Sequence, residues 1–170
     1  MTPMSCQVCC RSRSTPRRSP APQLPDTEIA QRVQLRMARQ TILTRDDAPP
    51  EVRCVLDEAV LRRMVGGREV MRRQLEHLVE MAQLLDVDLY LLPDSIGAHA
   101  GVEGTFTVLD YPEDFAPDPG TAYVEDRLQG HYDERPTEVA DYRDAHKRLR
   151  TQALDPQPTV EAISRVAKDM

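Results

Sequence analysis

Two short apolar segments separated by an amphipathic one constrain the fold of this chain most. "EVRCVLDEAVL" (residues 51–61) and "VDLYLLP" (87–93) have the length and apolar character of strands. Between them, over about residues 68–85, apolar residues recur at helical spacing: Met71, Leu75, Leu78, Ala82 and Leu85. Strand, helix and strand in this order predict a βαβ unit with parallel strands and a right-handed crossover. The first strand is apolar on both faces, which favours a position inside a sheet.

Further elements are predicted on both sides of this unit. A helix begins at Asp26 and is stopped by Pro49 and Pro50. Third and fourth strands are predicted at residues 104–112 and 121–128. A helix capped by Thr137 then follows, and its predicted buried row consists of Val139, Tyr142, His146, Leu149 and Ala153. Asp155 and Pro156 begin a last short helix. The sequence therefore predicts an α/β domain over residues 26–170: a mixed sheet of about four strands containing the βαβ unit, with packed helices at both chain ends.

The first 25 residues differ in composition from the rest. They are rich in Arg, Ser, Pro and Cys, lack a hydrophobic period and predict a disordered tail. They hold four arginines and no acidic residue, so residues 26–170 carry 18 of the 22 basic residues and all 28 acidic ones, a net charge of -10. An acidic body repels a phosphate backbone, so we expect no direct nucleic-acid binding by this chain alone.

Cysteines and hydropathy bear on the compartment. Cys6, Cys9 and Cys10 crowd the tail, "CQVCC" lacks a second pair of zinc ligands, and Cys54 reads as a small core residue. This is not a disulfide framework, and no apolar run reaches membrane-spanning length. We expect a cytoplasmic protein with no cofactor, no metal and no membrane contact.

The loop "SIGAHAGVEGTF" (residues 95–106) is the main candidate for a site. Its glycine spacing matches neither a phosphate loop nor a dinucleotide fingerprint, and the glycines are expected to supply positive φ. Because the carboxyl ends of parallel strands share one edge, four side chains are expected around one crevice: Asp57, Glu58, His99 and Glu103.

Three interpretations of this group stay open. A histidine with carboxylates suits acid–base chemistry or metal binding, and the crevice equally suits a ligand or partner. In the third interpretation the group is structural: Asp57 or Glu58 pairs with Arg62 or Arg63, and His99 caps the loop. Elsewhere, His77 is expected to be solvated and His146 to be a core histidine.

A set of motifs in fixed order resembles a known family. R-x-x-R-Q, V-L-D-E-A-x-L, G-G-x-x-V-M-x-x-Q-L, L-P, G-A-H-A-G-x-x-G-x-F and Y-V-E extend over most of residues 26–170. Together they resemble the C-terminal domain, of unknown function, of actinobacterial XRE-type helix-turn-helix, WhiJ-like and antitoxin-like transcriptional regulators. The resemblance places several residues at the family's recurrent polar positions: Arg36, Arg39, Gln40, Asp57, Glu58, Gln74, His99 and Glu125. The helix-turn-helix that usually precedes this domain is replaced here by the tail, so we expect a truncated regulator.

The leading hypothesis from the sequence is a non-enzymatic regulatory module. The resemblance implies that it binds a small-molecule effector or a small partner protein, with Glu125 added to the candidate binding residues and Arg36, Arg39 and Gln40 as interface candidates. One alternative is a small hydrolase that uses Asp57, Glu58 and His99. Another is a dimerisation domain that forms a homodimer or pairs with full-length paralogues through its first helix.

Overall fold

The computed structural model describes residues 26–112, 118–126 and 129–170. The expected disordered tail with "CQVCC", and most of the loop before the fourth strand, lie outside these ranges. The described helices are α1 (Asp26–Gln40), α2 (Ala59–Arg62), α3 (Arg68–Met81), α4 (Pro136–Gln152) and α5 (Pro156–Lys168). The described strands are β1 (Val52–Asp57), β2 (Val87–Leu92), β3 (Phe106–Leu109), β4 (Thr121–Glu125) and β5 (Gly130–Asp133). Short 3-10 turns occupy Thr41–Thr44, Asp94–Ile96 and Ala100–Glu103.

The predicted α/β class and the βαβ unit are confirmed. β1 and β2 pair in parallel, with Val52 opposite Val87 and Asp57 opposite Leu92, and α3 lies between them in the chain. The strands do not form one mixed sheet, however. β1 and β2 form a parallel pair, while β3, β4 and β5 form a separate antiparallel sheet in that order. β5 was not predicted, because "GHYD" is short, polar and exposed and so lacks the apolar alternation of a strand.

The prediction that β1 lies inside a sheet is wrong, since β2 is its one strand neighbour among the described residues. The far edge of β2 is bridged by Leu154, whose N–H donates to Leu91 O at 2.8 Å. Val52 N–H and Glu58 N–H donate to carbonyls at either end of β2, so the even-numbered residues of β1 face β2. By the alternation of a parallel ladder, Arg53, Val55 and Asp57 turn their backbone N–H and C=O groups to the free edge. The apolar residues on both faces of β1 are covered by helices and loops, so the pattern did not indicate a second neighbouring strand.

The larger core fills the space between the parallel pair and helices α3 and α5. Leu75, Leu89 and Ile163 are fully buried at its centre, and each buried side chain of this size contributes about 1.5–3 kcal/mol. The predicted stripe of α3 holds up to Leu78 but fails at Leu85, which is 98% exposed. α3 ends at Met81, so the helical period stops there and the partly buried Leu84 packs on the core instead.

Helix α4 joins the two sheets and makes contacts with β1, β2, β3 and β4. Near its start, Val139 is fully buried against Val108 and Ala122 of the antiparallel sheet. The rings of Phe106 and Tyr142 pack at 5.1 Å between centroids. Further along, the helix reaches the parallel pair, and α5 follows directly after Asp155, as predicted.

The two chain ends differ in how their helices pack. α5 contacts α3 and β2, and Arg68 at the start of α3 donates to the backbone carbonyls of Asp169 and Met170. Among the described elements, α1 makes its principal contacts with the 3-10 turn that follows it. Within the described part of the chain, no helix combines the length and the apolar character needed to cross a membrane.

Candidate functional site

A cavity of about 310 Å³ lies along the free edge of β1, towards its carboxyl end. Residues 53–57 of β1 form one wall, and the loop after β2 and helix α4 form another. Its apolar lining comes from every surrounding element: Val55, Leu56, Val60, Leu61, Val65, Met71, Leu75, Leu78, Leu92, Phe106 and Leu149. The fold thus brings the predicted loop to the predicted strand edge.

Asp57 and His99 are the two predicted site residues that line this cavity together. His99 Nε2 lies 3.7 Å from Asp57 Oδ2, and the side chains are 11% and 49% exposed. That separation exceeds the length of a direct hydrogen bond. Asp57 Oδ1 accepts a hydrogen bond from Ala59 N–H at 2.8 Å and so also caps the start of α2.

The other ring nitrogen of His99 is occupied by the loop itself. Gly101 N–H donates to Nδ1 at 3.2 Å, so His99 caps the 3-10 turn Ala100–Glu103. An accepting Nδ1 places the proton of the neutral ring on Nε2, which faces Asp57. In a nucleophile–histidine–carboxylate triad, the carboxylate holds the Nδ1 proton and Nε2 is free to act as a base. Here the arrangement is reversed, and no described hydroxyl or thiol is bonded to the ring.

The three glycines of the loop serve two purposes. Gly97 and Gly104 have positive φ values of 73° and 145°, as expected. Gly101 does not have positive φ. A Cβ built there would lie 3.1 Å from His99 Nδ1 and 3.2 Å from its Cε1. A bare backbone at Gly101 therefore lets the imidazole approach the amide that it caps.

Glu58 does not line the cavity but fixes the loop behind it. Its carboxylate pairs with Arg62, which also pairs with Asp94 at the start of the loop. Glu58 Oε2 further accepts a hydrogen bond from Asp94 N–H at 3.0 Å. The sequence left open a pairing of Glu58 with Arg62, and this pairing is present. It ties the end of β1 to the loop after β2.

The remaining predicted residues lie apart from the cavity. Glu103 and Glu125 are exposed and do not line it. Arg36 and Arg39 lie in α1, where their side chains are outside the described part, and Gln40 ends that helix, half-buried and with a bonded partner. Within the described residues, no group of three His, Cys, Asp or Glu side chains comes together as a metal site.

Six polar residues that line the cavity were not among the predicted site residues: Arg53, Cys54, Arg63, Gln74, Thr105 and His146. Gln74 is buried and lies on the same helical face as Met71 and Leu78, a position in the period that signals burial. Arg63 gave no signal, because a surface arginine after a short helix is common.

Burial alters the acidity of two of these groups. Burial raises the pKa of the Cys54 thiol, so the thiol stays protonated and unreactive at neutral pH. Burial also lowers the pKa of His146, whose Nε2 lies 3.2 Å from Arg53 O at the free edge of β1. His146 thus has a partner, but it is half-buried and lines the cavity instead of lying in either hydrophobic core, so the prediction of a core histidine holds only in part.

The expectation that His77 is solvated is wrong. Its side chain is 23% exposed, and Nε2 is buried without a hydrogen-bond partner among the described residues. Nδ1 lies 3.6 Å from Glu80 Oε2 on the same helix. The residue sits at the border between the wet and the buried face of α3, where a helical period does not separate the two.

Comparison with known proteins identifies one family. A model described as a domain of unknown function (DUF5753) matches residues 13–165. No curated protein and no solved structure matches the chain.

Proposed function

We propose that this chain, which belongs to the DUF5753 family of domains of unknown function, is a non-enzymatic regulatory module that binds a small-molecule effector. We further propose that it is the effector domain of an XRE-type, antitoxin-like transcriptional regulator that acts in the cytoplasm. The motif resemblance supports the second statement. The cavity along the free edge of β1 carries the first.

The cavity has the properties of a small-molecule site. Its volume of about 310 Å³ is at the small end of the range of about 300–1,000 Å³ that is typical of such sites. Its walls are mostly apolar, while Asp57, Gln74 and His99 add a few polar groups. By the alternation of the parallel ladder, the backbone N–H and C=O groups of Val55 and Asp57 point to the same edge of β1, while Arg53 O there already lies 3.2 Å from His146 Nε2. This combination lets a ligand bury apolar surface and still be oriented by hydrogen bonds.

The cavity also touches elements from both sheets. β1 and α3 belong to the parallel part of the domain, while Phe106 begins the antiparallel sheet and Leu149 lies on the connecting helix α4. A ligand in this position contacts both parts at once. It can therefore favour one arrangement of the two sheets by its differential affinity, which is what a regulatory effector requires.

Occupancy of the cavity can be measured with a single-tryptophan reporter, because the chain contains no Trp. Phe106→Trp places the indole in the lining, and Leu85→Trp places one on an exposed site before β2, at the end of that strand away from the cavity. We expect titration with 1-octanol to change the emission of Phe106→Trp saturably and to leave Leu85→Trp unchanged. A folded Phe106→Trp variant with no saturable response would contradict the proposal.

The proposal includes the expectation that this chain alone does not bind DNA specifically. Its support is the net charge of -10 on residues 26–170, which repels the phosphate backbone. The test is a mobility-shift assay with the purified chain and the DNA upstream of its own gene. Specific retardation that resists added salt would overturn this part.

The juxtaposition of His99 with Asp57 favours a second candidate, a small hydrolase. Its discriminating test is a metal and substrate-panel screen on the wild-type chain and on His99→Ala. Activity that disappears with the histidine would favour the enzyme. The regulatory module predicts no turnover in either protein, since both ring nitrogens of His99 face groups of the fold.

A further inference from the structure

We propose that the effector is a small amphipathic carboxylate, with its apolar chain in the cavity and its carboxylate on Arg63. This inference rests on the proposed function, since it assigns a chemical class to the ligand of the same cavity. Three features of the cavity support this assignment: its apolar lining, its charged residues and the exposed apolar side chains in the segments that line it.

The lining favours an aliphatic or aromatic chain over a polar ligand. Leu56, Leu61, Leu75 and Leu78 are buried side chains that contribute to the walls. An apolar ligand chain that packs against them gains a binding free energy of about 25 cal/mol for each Å² of apolar surface removed from water. The modest volume of about 310 Å³ restricts the ligand to a medium-length chain.

The charges at the cavity favour an anionic end. Its charged lining residues are Arg53, Asp57 and Arg63. Arg53 is paired with Glu51, and Asp57 accepts the hydrogen bond from Ala59 N–H and lies beside His99. The side chain of Arg63 has no ion pair or hydrogen bond with any described residue. Asp57 keeps its backbone hydrogen bond, so Arg63 is the charged lining residue whose side chain has no partner at all among the described residues. Its fork of donors matches a carboxylate.

Two exposed apolar side chains lie in chain segments that line the cavity. Met64 follows Arg63 directly and is 53% exposed, and Val102, in the loop after β2, is 70% exposed. Both lie between residues that line the cavity: Arg63 and Val65 in one segment, Gly101 and Gly104 in the other. A guanidinium and exposed apolar side chains in the segments that line one cavity suit a ligand with a charged head and an apolar chain.

Three ligands with one chain and different heads test the proposal: octanoate, 1-octanol and octylammonium at neutral pH. Binding is measured by isothermal titration calorimetry on the unmodified chain and by emission of the Phe106→Trp reporter. We expect octanoate to bind about tenfold more tightly than octanol, because a charge-assisted hydrogen bond is added. Octylammonium is expected to bind most weakly.

Arg63→Gln removes the charge at an exposed position, so the variant is expected to fold. It should reduce the advantage of octanoate over octanol to less than about threefold. Arg165→Gln on α5 is the matched control, because it removes the same charge at an exposed site away from the cavity. It should leave the preference for octanoate intact.

The outcomes separate this inference from the proposed function. If octanol binds but octanoate is no tighter, or if the preference survives in Arg63→Gln, the carboxylate assignment is wrong and the cavity remains a ligand site. Tightest binding by octylammonium, lost in Asp57→Asn, would likewise replace the anionic ligand with a cationic one. If none of the three binds to the folded chain, the inference and the proposed function both fail.

Discussion

A methyl group added at Gly101 tests how the loop holds His99. The Cβ of Gly101→Ala would meet His99 Nδ1 at 3.1 Å and Cε1 at 3.2 Å, while its distance of 3.6 Å from Leu149 Cδ2 is an ordinary contact. The ring must therefore move by a few tenths of an ångström. This movement lengthens the Gly101 N–H···Nδ1 hydrogen bond, which is already 3.2 Å long.

Two effects of opposite sign set the magnitude. Weakening a neutral hydrogen bond costs about 0.5–1.5 kcal/mol. Replacing a glycine without positive φ by alanine stabilises by about 0.4–1 kcal/mol, because the unfolded chain loses conformational freedom. The net change in the wild-type background is therefore small. In a His99→Ala background the ring is absent, and the stabilising effect alone remains.

The measurement is a double-mutant cycle with four proteins: wild type, Gly101→Ala, His99→Ala and the double variant. The free energy of unfolding is obtained from urea denaturation of each. We expect a coupling energy of about 1 kcal/mol, with the alanine more favourable when His99 is absent.

Additivity within about 0.5 kcal/mol would refute the reasoning. It would mean that the ring and the backbone at Gly101 do not interact in solution. His99 would then not be held by the loop, and its orientation towards Asp57 would need another explanation.

Three further predictions concern stability. Leu75→Ala should lower the free energy of unfolding by about 2–5 kcal/mol, because the side chain is fully buried; the exposed Leu85→Ala should change it by less than about 0.5 kcal/mol, and urea denaturation compares the two. Burial lowers the pKa of His146 from its ordinary 6.5, so as the pH falls below 6.5 the unfolded chain takes up a proton before the folded chain does, and the free energy of unfolding falls. Urea denaturation down to about pH 5 should show a loss of at most about 1.4 kcal/mol per pH unit. We expect His146→Gln to reduce this loss. Burial raises the pKa of the Cys54 thiol above its ordinary 9.0, so the unfolded chain loses this proton before the folded chain does as the pH rises. The free energy of unfolding, measured in the same assay, should therefore fall above about pH 9. An unchanged dependence of this free energy on pH in Cys54→Ala would contradict the prediction.

The residues of the βαβ unit could be interpreted from the sequence because the relevant interactions are local. The period of Met71, Leu75 and Leu78 is a property of one helix, and two apolar runs on either side of it leave few topologies. The same logic predicts that Asp57 and His99 lie at one edge of the sheet. It failed for Leu85 because the end of α3 depends on a turn that the period does not encode.

The cavity could not be predicted from local patterns. It exists because α4 crosses both sheets and brings His146 and Leu149 to the free edge of β1. Arg63 and Gln74 become lining residues through the same packing. None of these residues is adjacent in the chain to the loop at residues 95–106.

The sequence by itself determined the α/β class, the parallel pair and the meeting of Asp57 with the glycine-rich loop, since periodicity and the handedness of the crossover act over short stretches of chain. The tertiary structure alone decided that the strands form two sheets and that β1 keeps a free edge. It also decided that Glu58 braces the loop while Arg63 stays unpaired at the cavity. These outcomes depend on long-range packing of α4 and α5, in which side chains distant in sequence compete for the same space and the same partners.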